Sequence, residues 1–115
     1  MKLLLALYLS VISFTTLSSQ LETNNYNITV TVNCMEGNVT CDKVTYEGVN
    51  KNNGKSITLN GATWHTYSED GTPSRFLGYR FKSGNIDYLV SESGKLSVIR
   101  NKTEVLLEES GAWSW

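Results

Sequence analysis

The residues of this chain that could do chemistry are few, and their arrangement argues against most of it. His65 is the only histidine. Ser68 and Asp70 follow it closely, so spacing alone leaves a Ser-His-Asp arrangement open. Yet His65 stands between Trp64 and Thr66 in the middle of a strand pattern, the setting of a structural or surface histidine. Paired acids occur at Glu69-Asp70 and Glu108-Glu109. Adjacent carboxylates on a turn or tail are normally solvated, whereas glycoside hydrolysis needs two acids facing each other across a cleft. Zinc takes three or four ligands. One histidine and two cysteines do not supply them if the cysteines are bridged. The chain is therefore read as having no catalytic residue, no metal site and no cofactor.

Cys34 and Cys41 are the only cysteines. Their spacing fits neither a redox pair nor a zinc motif. In an oxidising compartment an even pair is most simply a disulfide. Closing a loop of about eight residues stabilises the fold by about 2.4 kcal/mol in the chain-entropy account, a sizeable share for a small domain.

That compartment follows from the N-terminus. Met1-Lys2 gives a positive start, Leu3 to Phe14 is uncharged and mostly apolar, and Thr15 to Gln20 is small and polar. This is the layout of a secretory signal peptide, with cleavage expected after Ser18 and Ser19 as a close second. The apolar run of 12 residues falls short of the roughly 20 that span a bilayer. We expect residues 1–18 to be a leader and 19–115 one domain, secreted or periplasmic. Without Lys2 the chain has nine basic against eleven acidic residues, a net charge of −2. No basic stripe marks it for nucleic acid or an anionic membrane. Asn27, Asn38 and Asn101 each open an Asn-x-Thr sequon, a glycan acceptor only in a eukaryotic secretory pathway.

The elements that would position any site are short strands. Tyr26, Ile28, Val30 and Val32 alternate with polar residues, and Val44 and Tyr46 repeat the pattern. Further strand patterns cover 56–60, 62–67, 75–82, 86–90, 96–100 and 104–109. Turn chemistry separates them: Gly37-Asn38, Asn53-Gly54 as a type I′ turn, Asn60-Gly61 as a second of the same kind, Ser83-Gly84-Asn85 and Ser91 to Lys95. Gly78, inside the most apolar strand, suggests a bulge or a close backbone approach. The expected fold is all-β, a small antiparallel meander closing into a barrel or sandwich of about eight strands. In the tail, Trp113 or Trp115 would plug one end.

With little catalytic equipment, the remaining function is binding. The longest polar break, Ser68 to Ser74, carries Glu69 and Asp70, is stiffened by Pro73 and leads into Arg75. Loops on a rigid β scaffold often carry a binding surface.

Two further segments carry a resemblance. Ser83-Gly84-Asn85-Ile86-Asp87-Tyr88 is one residue longer than a Ser-Gly-x-x-Tyr motif, and Ser74-Arg75-Phe76 supplies a serine, a base and an aromatic without the glycine. Phe81-Lys82-Ser83-Gly84 places an aromatic strand before a glycine turn. In layout, from Val44 to Leu107, the chain resembles the periplasmic and membrane-bound inhibitors of chicken-type lysozyme. The local Cys34–Cys41 loop departs from that family, which ties distant parts of its barrel together. The chain also resembles small secreted proteins of enterobacteria, a likeness that adds no activity. The first resemblance implies an eight-stranded barrel whose loop enters the lysozyme cleft. It would make Ser74, Arg75, Ser83 and Tyr88 contacts, with Glu69 and Asp70 facing a cationic partner. The second expectation is a lipocalin-like carrier of a small apolar ligand. Against it, strands of five to seven residues leave an interior that side chains can fill.

Overall fold

The computed structural model describes residues 17–35 and 38–114. Alternating side chains there build nine antiparallel strands: β1 (Leu17–Glu22), β2 (Tyr26–Val32), β3 (Val44–Asn50), β4 (Ser56–Tyr67), β5 (Pro73–Ser83), β6 (Ile86–Ser91), β7 (Lys95–Arg100), β8 (Glu104–Ser110) and β9 (Ala112–Ser114). They form one sheet in the order β8-β7-β6-β5-β4-β3-β2-β1-β9. The expected meander is present, and it curls into a nearly closed barrel. Gly111 lets the chain pass from β8, paired with β7, directly into β9, paired with β1. The two edges of the sheet are thus joined covalently. The leader expected over residues 1–18 lies outside the described residues, except that Leu17 and Ser18 open β1.

Period-two alternation sets the interior. Ile28, Val30, Val44, Tyr46, Leu59, Tyr79, Phe81, Val90, Leu96 and Val98 are buried. Cross-strand register lines many of them up. One row runs Val32–Val44–Gly61–Phe81–Tyr88–Val98–Leu107 from β2 to β8. The Tyr46 ring sits above this row, 5.2 Å from Phe81 and 5.5 Å from Tyr88 between centroids. Tilted aromatic pairs at such distances stabilise beyond the area they bury.

Gly61 corrects one expectation. Asn60-Gly61 is not a turn, because both residues lie inside the twelve-residue β4. A Cβ on Gly61 would meet the Arg80 carbonyl oxygen at 2.0 Å and the Phe81 ring at 2.5 Å. The glycine is there to let Phe81 into the row. Asn53-Gly54 corrects another. Of the two only Gly54 has positive φ, at 73°, so the β3–β4 connection is not type I′. It is a single helical turn, with the Gly54 N–H donating to the Asn50 carbonyl at 2.8 Å. The two consecutive positive φ values of a type I′ turn occur instead at Asn101 (52°) and Lys102 (65°). Gly78 behaves as expected. Pairing slips by one residue at Leu77, and a Cβ on Gly78 would lie 2.2 Å from the Val90 carbonyl oxygen. The expected bend at Gly37-Asn38 falls partly outside the described residues.

The Cys34–Cys41 disulfide is formed, with the Cα atoms 5.8 Å apart. Trp113 lies partly buried against the core, edge-on to Tyr79, and its indole N–H donates to the Ser91 carbonyl at 3.1 Å. Asn25 is pinned to β8, donating through its backbone N–H and its side chain to the two Glu109 carboxylate oxygens at 3.2 and 2.6 Å. Burial alone would raise the Glu109 carboxyl, but hydrogen bonds from Asn25 and Thr23 outweigh it and hold the group below its ordinary range.

Candidate functional site

The meander does not cover all of its own strands. β3 covers β4 only as far as Gly61, and β6 covers β5 only from Gly78. Ala62–Trp64 still pair with Gly78–Arg80, which β6 covers, but past the bulge His65–Tyr67 and Pro73–Phe76 pair with each other alone and form a short two-stranded arm. At a strand's usual rise its three-residue side is about 10 Å long before the tip loop.

The arm is braced at its base from both sides. The Thr63 N–H donates to the Cys41 carbonyl at 2.7 Å, and the Cys41 N–H donates to the Thr63 hydroxyl at 2.9 Å. The disulfide loop therefore docks on β4. On the other side the Glu92 N–H donates to the Leu77 carbonyl at 2.8 Å.

The tip is organised by its own sequence. The Ser68 N–H donates to the Thr72 carbonyl at 2.8 Å, and the Gly71 N–H donates to the Ser68 carbonyl at 2.9 Å. Asp70 accepts from the Thr72 N–H at 3.0 Å and from the Thr72 hydroxyl on the same oxygen. This Asx-type turn is what an Asp two residues before a Thr favours. The Thr72 hydrogen bonds hold the Asp70 carboxyl below its ordinary range. The Arg75 N–H donates to the Thr66 hydroxyl at 2.9 Å and fixes the next step of the hairpin. Residues 66–72, Ser74 and Arg75 are all exposed.

Of the expected contact residues, Glu69, Asp70, Ser74 and Arg75 converge on this arm. Ser83 and Tyr88 do not. Ser83 closes the opposite end of β5, nine residues from Ser74, or about 30 Å at a strand's rise. Tyr88 faces the barrel interior beside Tyr46. Sequence reasoning missed Tyr67, exposed to 60% at the arm's end, with Met35 (79%) and Val39 (70%) on the disulfide loop. Val39, Tyr67, Thr72 and Pro73 share a groove of about 720 Å³ between loop and arm. The disulfide, not any single motif, is the signal that places the loop there.

His65 lies at the bulge where the arm leaves the barrel. It is 6% exposed, its ring edge-on to Phe76 at 5.5 Å. Neither ring nitrogen has a hydrogen-bond partner, so neither Ser68 nor Asp70 engages it. Unpaired buried polar atoms cost about 1–3 kcal/mol. His65→Phe keeps the ring and removes both atoms, and should raise the urea unfolding free energy by about 1–2 kcal/mol. A loss of stability would mean that the imidazole has a bonding partner, such as a buried water. Among the described residues no cluster of three His, Cys, Asp or Glu side chains could hold a metal ion.

The remaining exposed large apolar side chains, Ile57, Val105 and Leu106, gather at the other end of the molecule. Ile57 and Leu106 line a cleft of about 460 Å³ that enters the barrel. Compared with known proteins, the chain matches no family model, no curated protein and no solved structure.

Proposed function

We propose that this chain is an exported, non-catalytic binding protein that presents its β4–β5 arm to the cleft of a cationic hydrolase, with a lysozyme of the chicken type as the first candidate. The observation that carries this reading is the arm itself: a braced two-stranded projection with a self-bonded acidic tip. Loops already held in their bound shape avoid the ordering cost of association. Glu69 and Asp70 steer a positively charged partner, Tyr67 supplies an aromatic anchor, and Ser74 and Arg75 flank the entry. Export rests on the leader pattern of residues 1–18, and the disulfide is consistent with an oxidising compartment such as the periplasm or the exterior. Leaving catalysis out is supported by His65, whose nitrogens face neither a carboxylate nor a hydroxyl. Ser83 and Tyr88, at the other end of β5, are outside the proposed contact.

The test is lysis of a Gram-positive cell suspension by chicken-type lysozyme, with the purified protein at equimolar and tenfold amounts. Stoichiometric loss of lysis is expected. Tyr67→Ala should weaken inhibition by about 30-fold, the 2 kcal/mol typical of an aromatic hot spot. Ser83→Ala should leave it unchanged. Full lysis at tenfold excess would remove lysozyme as the partner, and inhibition indifferent to Tyr67 would move the contact off the arm.

A further inference from the structure

The second exposed apolar set lies beside a place where the barrel stays open. β9 closes the sheet only against Gln20–Glu22. Among the described residues β8 has β7 on one side and no strand on the other. Across this gap stand Tyr26 and the β3–β4 connection. The cleft of about 460 Å³ has both banks in its lining, Leu106 and Leu107 from β8 and Tyr26, Asn50 and Lys55 opposite. Its floor is made by Tyr46, Tyr88, Leu96 and Val98.

Three phenols meet in this cleft. Tyr46 is 2% exposed, yet no described residue gives its hydroxyl a hydrogen bond. The hydroxyl is not sealed either, since the only sealed, unpaired side-chain atoms among the described residues are those of His65. It reaches the cleft instead. The phenol lies along β3 over Gly48, where a Cβ would come within 2.6 Å of the hydroxyl oxygen. The bare backbone at Gly48 is what lets the ring lie there. Burial first, then the facing Tyr88 and Tyr26 phenols, pushes the Tyr46 hydroxyl above its ordinary range. It remains a neutral donor at physiological pH. The Tyr26 backbone bonds to Thr23, but the Tyr26 and Tyr88 hydroxyls, like that of Tyr46, have no hydrogen-bond partner among the described residues. Lys55 is the one charged side chain in the lining and takes no part in the ion pairs.

We infer that this cleft binds a small amphipathic anion, its apolar body between the Tyr46 and Tyr88 rings and the Leu96, Val98 and Leu107 side chains, and its acid group toward Lys55. The volume is within the range of small-molecule sites, which are mostly apolar with a few placed polar groups. A ligand oxygen would give the Tyr46 hydroxyl the partner it lacks. The site is independent of the arm: it lies at the other end of the barrel and uses none of the arm's residues.

The test uses two naphthalene dyes with the exported protein, anilinonaphthalene sulfonate as the anion and neutral N-phenylnaphthylamine. Both should bind saturably, one per chain, with enhanced fluorescence. Lys55→Glu should weaken the anion by about tenfold, a modest charge effect at a solvated rim, and leave the neutral dye within about twofold. Leu106→Trp, which fills the mouth from an exposed position, should abolish both. Weak, non-saturating binding to the native protein would overturn the inference. So would saturable binding that Leu106→Trp leaves intact, which would place the dye elsewhere. Equal loss of both dyes with Lys55→Glu would overturn the anionic character of the ligand.

Discussion

Leu21→Ala is expected to lower the unfolding free energy by about 2–5 kcal/mol, the range for removing a buried leucine side chain. Leu21 is 0% exposed and stands where the barrel is sewn shut, opposite Ile28 on β2 and opposite Trp113 on β9. The neighbouring backbone is close as well, because a Cβ on Gly94 would come within 3.7 Å of a Leu21 methyl. Little can collapse into the space an alanine leaves. A domain of this size has about 5–15 kcal/mol in total, so the variant would sit near its unfolding threshold at 37 °C. The measurement is urea denaturation followed by tryptophan fluorescence, which reads Trp113 at the seam directly. Ser110→Ala is the control. Its side chain is exposed at the end of β8, and surface changes of this kind fall within about 0.5 kcal/mol. A loss below that figure for Leu21→Ala would show that β1 does not hold the seam. Cleavage after Ser18 leaves Leu21 in place, so the expected leader and the closed barrel are compatible.

The body of the meander was legible because its signal is local. Ile28 and Val30, or Val44 and Tyr46, alternate within one strand, and burial of one face requires that alternation. The seam was not legible. β1 contributes a single wholly buried side chain from a polar segment, and β9 is three residues long. β1 is paired along its whole length with β2, whereas β9 has only three residues of β1 to pair with, about ninety residues away along the chain. Glycine misled for a related reason. Asn60-Gly61 and Asn53-Gly54 carry the same local signature, but Gly61 answers to Phe81 on the next strand and not to its own neighbours. Reading Gly61 as a turn split β4 in two and hid the arm, since only a continuous β4 outruns β3. The acidic tip could still be picked out, because Asp70, Gly71 and Thr72 build it among themselves. The tyrosine cleft was the least accessible feature. Tyr26 and Tyr46 read as parts of apolar strand faces and Tyr88 as a partner contact, and only the gap beside β8 turns the space between the three into a cavity.

Replacing both cysteines by serine should cost about 2.4 kcal/mol, the chain-entropy value for so short a loop, and the loss should be uneven in space. In the unfolded chain the bridge restricts only its own short segment. In the folded chain that segment is the brace of the arm, where Cys41 exchanges backbone and side-chain hydrogen bonds with Thr63. Freed from its loop, Cys41 must be ordered anew each time the arm docks, so the arm opens more often than the barrel. Amide exchange should therefore accelerate at Thr63 and along 62–67 well before it does at Val98 or Leu96, in the middle of the sheet. If the arm is the inhibitory element, inhibition should weaken along with this protection, while dye binding in the tyrosine cleft holds until the barrel itself unfolds. Uniform acceleration at Thr63 and Val98 would confine the disulfide's effect to the unfolded state and leave the arm rigid without it. The double substitution is the informative one, since either single change leaves a reactive thiol.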